Sequence, residues 1–189
     1  VAHLVSGLQS HRGLSVLTLS GRAGAAEKRE AKQGEVNDEI AKIDKVMASI
    51  TDETIARSWG NLKKGWLATA AAVSNRSTDA AKTAEEHHEV IAEAIKLVDR
   101  LGDHYGLSLD PEPNTYFLQN ALIFTGLRMA EEMGQLRARG ATALNNRQIS
   151  DVERGGLAAL SRSLSDRAAR LTEQLQKSYA VDASLRAAI

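Results

Sequence analysis

Helical periodicity runs through nearly every stretch of this chain of 189 residues, and the apolar–polar alternation of a half-buried strand is almost absent. Proline, which ends helices, occurs only at positions 111 and 113, and aromatic residues make up 4%. Ala, Leu, Glu and Arg dominate instead, a composition that favours long helices over sheets. The pattern predicts an all-α fold: an elongated antiparallel bundle of the four-helix type, with about six helices joined by short loops.

A first helix is expected up to about Ser20, where Ser20-Gly21-Arg22-Ala23-Gly24 breaks the pattern. A second runs from about Ala25 to Ile50, with Val36, Ile40, Ile43, Val46, Met47 and Ile50 as its apolar positions. Thr51-Asp52-Glu53-Thr54 offers capping chemistry for a third helix, whose stripe is Ile55, Trp59, Leu62, Trp66 and Val73. Ser77-Thr78-Asp79 caps a fourth, where His87, Ile91, Ala94, Val98, Leu101 and Tyr105 follow the seam spacing of a left-handed bundle. The proline-containing stretch 106–114 reads as the clearest non-helical connection. A fifth helix follows it, with Leu118, Leu122, Thr125, Met129, Met133 and Leu136 on one stripe, ending at Asn145-Asn146-Arg147. Ser150-Asp151-Val152-Glu153 is a capping box that opens a last helix of over thirty residues, roughly 45–50 Å long. Its stripe is Leu157, Leu160, Leu164, Ala168, Leu171 and Leu175. Residues 1–189 are read as a single helical domain, with two stacked sub-bundles as the variant of that reading.

Lys plus Arg (24) equals Asp plus Glu (24), so no global field attracts nucleic acid or a membrane surface. No run of eighteen apolar residues is present to span a bilayer, and no stretch of residues 1–189 is expected to serve as a signal peptide. Both ends, Val1-Ala2-His3-Leu4-Val5 and Ser184-Leu185-Arg186-Ala187-Ala188-Ile189, read as the middle of a pattern and are expected to belong to a longer protein. No Ser-His-Asp arrangement, nucleophile elbow, phosphate loop or dinucleotide fingerprint occurs. The expectation is therefore a non-enzyme with no cofactor and no metal. His87-His88, among Glu85, Glu86 and Glu89, has metal-ligand chemistry but not the spacing, because adjacent histidines diverge by about 100° on a helix. It reads as one seam histidine beside a solvated one. His3, His11 and His104 are scattered, and Trp59 and Trp66 read as core packing.

Two segments resemble each other: Gly7-Leu8-Gln9-Ser10-His11-Arg12-Gly13-Leu14-Ser15-Val16-Leu17 and Gly134-Gln135-Leu136-Arg137-Ala138-Arg139-Gly140-Ala141-Thr142-Ala143-Leu144. Each places an Arg-Gly step inside an apolar helical pattern. Arg12 shares a stripe with Leu8, Ser15 and Leu19; Arg137 stands in the same relation to Met133, Gly140 and Leu144, while Arg139 aligns with Arg12. A guanidinium on an inward stripe is costly unless it meets an anion or a polar partner. Two readings stand. Arg12, with Gln9, Ser15 and Arg137 or Arg139, clamps a small anion between helices, Gly13 and Gly140 allowing close approach. Alternatively the arginines pair with acidic residues on neighbouring helices or reach the surface.

The stretch Leu8-Gln9-Ser10-His11-Arg12-Gly13-Leu14-Ser15 resembles the opening motif of bacterial nitrate- and nitrite-sensing (NIT-type) helical domains, where a Leu-Gln-x-Glu-Arg-Gly element starts the first helix. The segments Asp110-Pro111-Glu112-Pro113-Asn114-Thr115-Tyr116-Phe117 and Gly134–Gly140 are similar to the second half of such sensors. His11 stands where the family has Glu. The resemblance implies the periplasmic sensing portion of an inner-membrane receptor, such as a methyl-accepting chemotaxis protein, working as a homodimer. It also implies that interior arginines bind an oxyanion, with Arg12 at the motif's arginine position. The expected ligand is a small anion, an oxyanion or organic acid, whose binding shifts the last helix and relays a signal through the membrane. The alternative is a structural or partner-binding helical module whose stripes serve protein–protein contacts.

Overall fold

The computed structural model describes residues 1–188; the side chains of Asn145, Asn146, Ala187 and Ala188 lie outside that description, as does Ile189, the last residue of the expected mid-pattern end. The fold is all-α, and no strand occurs among the described residues. The chain divides into two compact units, Val1–Leu101 and Gly102–Ile189.

The first unit is built from α1 (Ala2–Leu19), α2 (Ala25–Met47), α3 (Glu53–Ser74) and most of α4 (Ala80–His104). The break between α1 and α2 uses Gly21 and Gly24, both with φ above +70°, a left-handed conformation that costs glycine nothing. Asp52 caps α3 by accepting hydrogen bonds from the Thr54 and Ile55 amides at 2.8 and 2.9 Å. Asp79 caps α4 in the same way, accepting from the Lys82 amide.

Cross-helix pairs fix an up-down-up-down order. On α1 and α2, Gly7 lies against Val36, where a Cβ would stand 3.0 Å from Val36 Cγ2. Between α2 and α3, the Trp66 indole donates to Asn37 at 2.8 Å, and one helical stretch further on the Trp59 indole donates to Asp44 at 2.7 Å. The Arg100 guanidinium of α4 bonds Ser58 on α3. Most of the stripes read from the sequence meet in the core, where Leu8, Val36, Ile43, Ile55, Trp59, Leu62, Trp66, Ile91 and Ala94 are buried together with Leu4 and Leu97. Val46 of the α2 stripe instead faces outward at 62% exposure, and on α4 Leu97 is fully buried where the seam spacing named Val98. Tyr105 does not extend the α4 seam. It lies beyond the helix end and is 61% exposed.

The second unit opens with a single turn of 3-10 helix at Leu107–Leu109. One nearly continuous helical path follows: α5 (Pro113–Gln119), a π-helical segment (Asn120–Gly126) and α6 (Leu127–Asn146). It then turns back as α7 (Asp151–Val181) and closes with the short α8 (Leu185–Ala188). Pro113 sits in the first turn of α5, where its missing N–H costs nothing. Arg147 ends α6 in the left-handed region at φ 52°. The Ser150/Glu153 capping box forms as the sequence indicates, and α7 runs for 31 residues, about 46 Å.

The expected stripe of the fifth helix coincides with its buried face only in part, at Thr125. A π turn holds more residues than an α turn and rotates everything after it around the axis. Ala121, Thr125 and Glu131 are buried, whereas Leu122 and Met133 face outward at 48% and 52% exposure. α7 is joined to this helix by polar bonds as much as by apolar packing: Arg167 Nε to Glu132 at 2.7 Å, Ser163 to Glu132 at 2.9 Å, and Thr125 to Gln174 at 3.0 Å. Among the described residues, no helix is long and apolar enough to cross a membrane.

Candidate functional site: a polar cluster inside the first unit

α1 carries Leu4, Leu8, His11, Arg12 and Ser15 on its buried face. Its inner stripe therefore changes from apolar to polar at His11, one turn after Leu8. The four-helix geometry brings that turn level with Trp66 of α3 and with Thr83 and His87 of α4. The rings of His11 and Trp66 meet edge to face at 4.7 Å, and those of His11 and His87 lie 5.0 Å apart. His11, His87, Thr83 and Ser15 are all fully buried.

The two imidazoles form a hydrogen-bonded relay. His87 Nδ1 lies 2.7 Å from the Thr83 carbonyl oxygen, which can only accept, so Nδ1 carries the proton and donates. In the neutral ring this leaves His87 Nε2 as an acceptor, 2.7 Å from His11 Nδ1. His11 Nδ1 must then be the donor, with Ser15 Oγ a longer contact of the same atom at 3.3 Å. The chain of donors ends in a lone pair on His11 Nε2, a buried atom that makes no hydrogen bond of normal geometry, with the Gln33 side chain near it. Neutrality of both rings is enforced by their surroundings. Burial, then the neighbouring His87 and the positive Arg29, push His11 down to about 3, with Gln33 acting the other way. Burial also pushes His87 down to about 4, opposed by its bond to Thr83 and reinforced by the positive Arg12.

Two guanidinium groups accompany these rings. Arg12 is 6% exposed. Arg29, from α2, is 8% exposed and donates through Nη1 to Gln33 Oε1 at 2.6 Å and to Ser74 Oγ at 3.3 Å. Both of its partners are neutral, and among the described residues no carboxylate pairs with it. Among the described residues, the acceptors offered to this buried charge are thus an amide and a hydroxyl.

Of the residues singled out in the sequence, Arg12 and Ser15 lie inside the first unit and Gln9 is half-buried beside them on α1. Arg137 and Arg139 belong to the second unit and are exposed on α6. There Arg139 lies over α7, its Nη1 3.5 Å from where a Cβ on Gly156 would stand. Gly13 and Gly140 do not mark close approaches, since a Cβ at either would meet nothing within 4 Å; on α1 the tight contact is at Gly7. His87 is the seam histidine expected. The pairing of His11 with His87, 76 positions apart, and the part played by Arg29 were not readable from either segment alone. Arg29 lies in the charge-dense run 27–32, which reads as a solvated face. Its position one turn before Gln33 and two before Val36 was the available signal. Among the described residues, no group of three His, Cys, Asp or Glu side chains is placed to hold a metal ion.

Comparison with protein-family models, with curated proteins and with solved structures finds no match to this chain.

Proposed function

We propose that this chain is the periplasmic ligand-sensing portion of a bacterial transmembrane signalling receptor, of the chemoreceptor kind, and that it binds a small anion between its helices. The observation that carries the reading is the character of the first unit's interior. Two guanidinium groups and two uncharged imidazoles occupy buried positions at the level of Trp66, where aliphatic side chains would stabilise the bundle more cheaply. Helical bundles build ligand sites in this way, from side chains that project inward on facing helices.

Arg12 is the principal donor in this reading, with Ser15 and Gln9 on the same helix assisting. The resemblance of Leu8–Ser15 to the opening motif of nitrate- and nitrite-sensing domains supports the same assignment. Occupation of the site would favour one packing of the helices over another and so bias the segments leading to the membrane. The receptor would act as a homodimer and perform no catalysis of its own.

Isothermal calorimetry of the whole chain against inorganic oxyanions and organic acids tests the proposal. Binding that Arg12→Ala weakens by tenfold or more supports it. A chain that binds none of these anions, while retaining its helical circular dichroism, refutes the sensing role.

A further inference from the structure

We infer that the anion seat is centred on Arg29, Gln33, Ser74 and His11, and that it selects an oxyanion bearing its own O–H, such as hydrogen phosphate or a 2-hydroxycarboxylate. This rests on the anion-sensing reading, moves the principal donor from Arg12 to Arg29, and names the ligand chemistry.

Three features meet here. The first is a buried charge. Arg29 is 8% exposed and donates to two neutral partners, and among the described residues no carboxylate pairs with this buried positive group. The forked guanidinium suits two oxygens of one anion. Its bond from Nη1 to Gln33 Oε1 at 2.6 Å is of the length a carboxylate or phosphate oxygen would take up. Gln33 is only half-buried and Ser74 is exposed, so the Arg29 end of the cluster is open to exchange of one oxygen for another.

The second feature is the lone pair of His11 Nε2. The relay from the Thr83 carbonyl through His87 fixes the proton of His11 on Nδ1, and Nε2 can only accept. It makes no hydrogen bond of normal geometry, although the Gln33 side chain lies close enough to act on the ring. A ligand atom placed there must therefore bring a hydrogen. The third is proximity. Gln33, bonded to Arg29, and Arg29 itself both influence the protonation of His11, so the three side chains share one neighbourhood.

A ligand that satisfies both ends carries a negative oxygen for Arg29 and a hydroxyl for His11. Hydrogen phosphate has both on one tetrahedral centre; a 2-hydroxycarboxylate has them on adjacent carbons. Nitrate has oxygens but no proton, so it would set a lone pair against the lone pair of Nε2. The departure of His11 from the Glu of the nitrate-sensing motif thus becomes a change of ligand chemistry.

The test is calorimetry of the whole chain at pH 7 with inorganic phosphate, L-malate and nitrate, on the wild type, Arg29→Met and His11→Gln. Phosphate or malate should bind at least tenfold tighter than nitrate. Arg29→Met should weaken that ligand by about 10- to 100-fold, the worth of hydrogen bonds to a charged group. His11→Gln places an amide that can donate near the Nε2 position, and should narrow the preference over nitrate. Circular dichroism of each variant reports folding, and the wild-type preference stands as evidence without either variant. Nitrate binding as tightly as phosphate and malate, or binding unchanged in a folded Arg29→Met, would overturn this seat while leaving an anion sensor in place. Failure of all three anions to bind the folded wild type would overturn the seat, and extending the null result to the wider panel above would remove the sensing role as well.

Discussion

Lowering the pH from 7.5 to 5 is expected to destabilise the first unit by about 4 kcal/mol, and the buried His11–His87 pair supplies the reason. Both rings are held neutral, with values pushed down to about 3 and about 4 from an unfolded value of 6.5. For a depressed imidazole the unfolded chain binds the proton that the native state refuses. Stability is therefore full above pH 6.5 and is lost as the pH falls from there toward the native values. At pH 5 each ring lies 1.5 units below its unfolded value and above its native one. With 1.36 kcal/mol per unit, each contributes about 2 kcal/mol, and the size of the loss hardly depends on how far below 5 the native values fall. The assay is urea unfolding followed by tryptophan fluorescence. Both tryptophans, Trp59 and Trp66, are on α3, so the signal reports the first unit alone. Replacing His87 with Gln removes one titrating ring and should halve the pH dependence, whatever it does to stability at pH 7.5. A wild-type change below about 1 kcal/mol between pH 7.5 and 5 would refute the buried, neutral relay.

Two glycines of α1 should respond in opposite ways to alanine. Gly13→Ala, facing open space, should raise stability by about 0.5–1 kcal/mol through helix propensity. Gly7→Ala should forfeit that gain, because its Cβ would press on the buried Val36 at 3.0 Å; equal urea midpoints for the two variants would count against the close α1–α2 contact. Trp66→Ala should cost about 3–5 kcal/mol, read from the remaining Trp59 emission, since its ring is 1% exposed and packs against both histidines. Ser150→Ala breaks the capping box of α7 and should cost the second unit about 1 kcal/mol. Faster amide exchange in the first turn of α7, with the tryptophan signal unchanged, is the expected pattern.

The helices were legible because their signals are local. Asp52, Asp79 and the Ser150/Glu153 box act within one turn, and the α3 stripe from Ile55 to Val73 is buried as its spacing indicates. The stripe of the fifth helix was read correctly only in part, at Thr125 but not at Leu122 or Met133, for an equally physical reason. Seven π-helical residues, 120–126, change the number of residues per turn, so a stripe drawn with a constant period drifts off the buried face. The candidate site was legible only in part. Arg12 and Ser15 announced themselves by sharing the stripe of Leu8, but the partner of His11 is 76 residues away, and no periodicity within α1 or α4 connects them. Arg29 was hidden by its neighbours: Glu27, Lys28, Glu30 and Lys32 make the run look wet, while one helical face of it turns inward. Pattern reading assigns charge to the surface by default, and a guanidinium turned inward onto neutral partners, as Arg29 is, escapes it.

Nitrogen-15 NMR of the imidazole rings at pH 6 tests the central claim most directly, because it reads the protonation of each ring nitrogen. The account predicts that His11 and His87 are both neutral, each with its proton on Nδ1 and a bare Nε2. A proton on Nε2 of His11, or a charged ring at either position, would contradict the relay and remove the basis for a ligand that brings its own hydrogen.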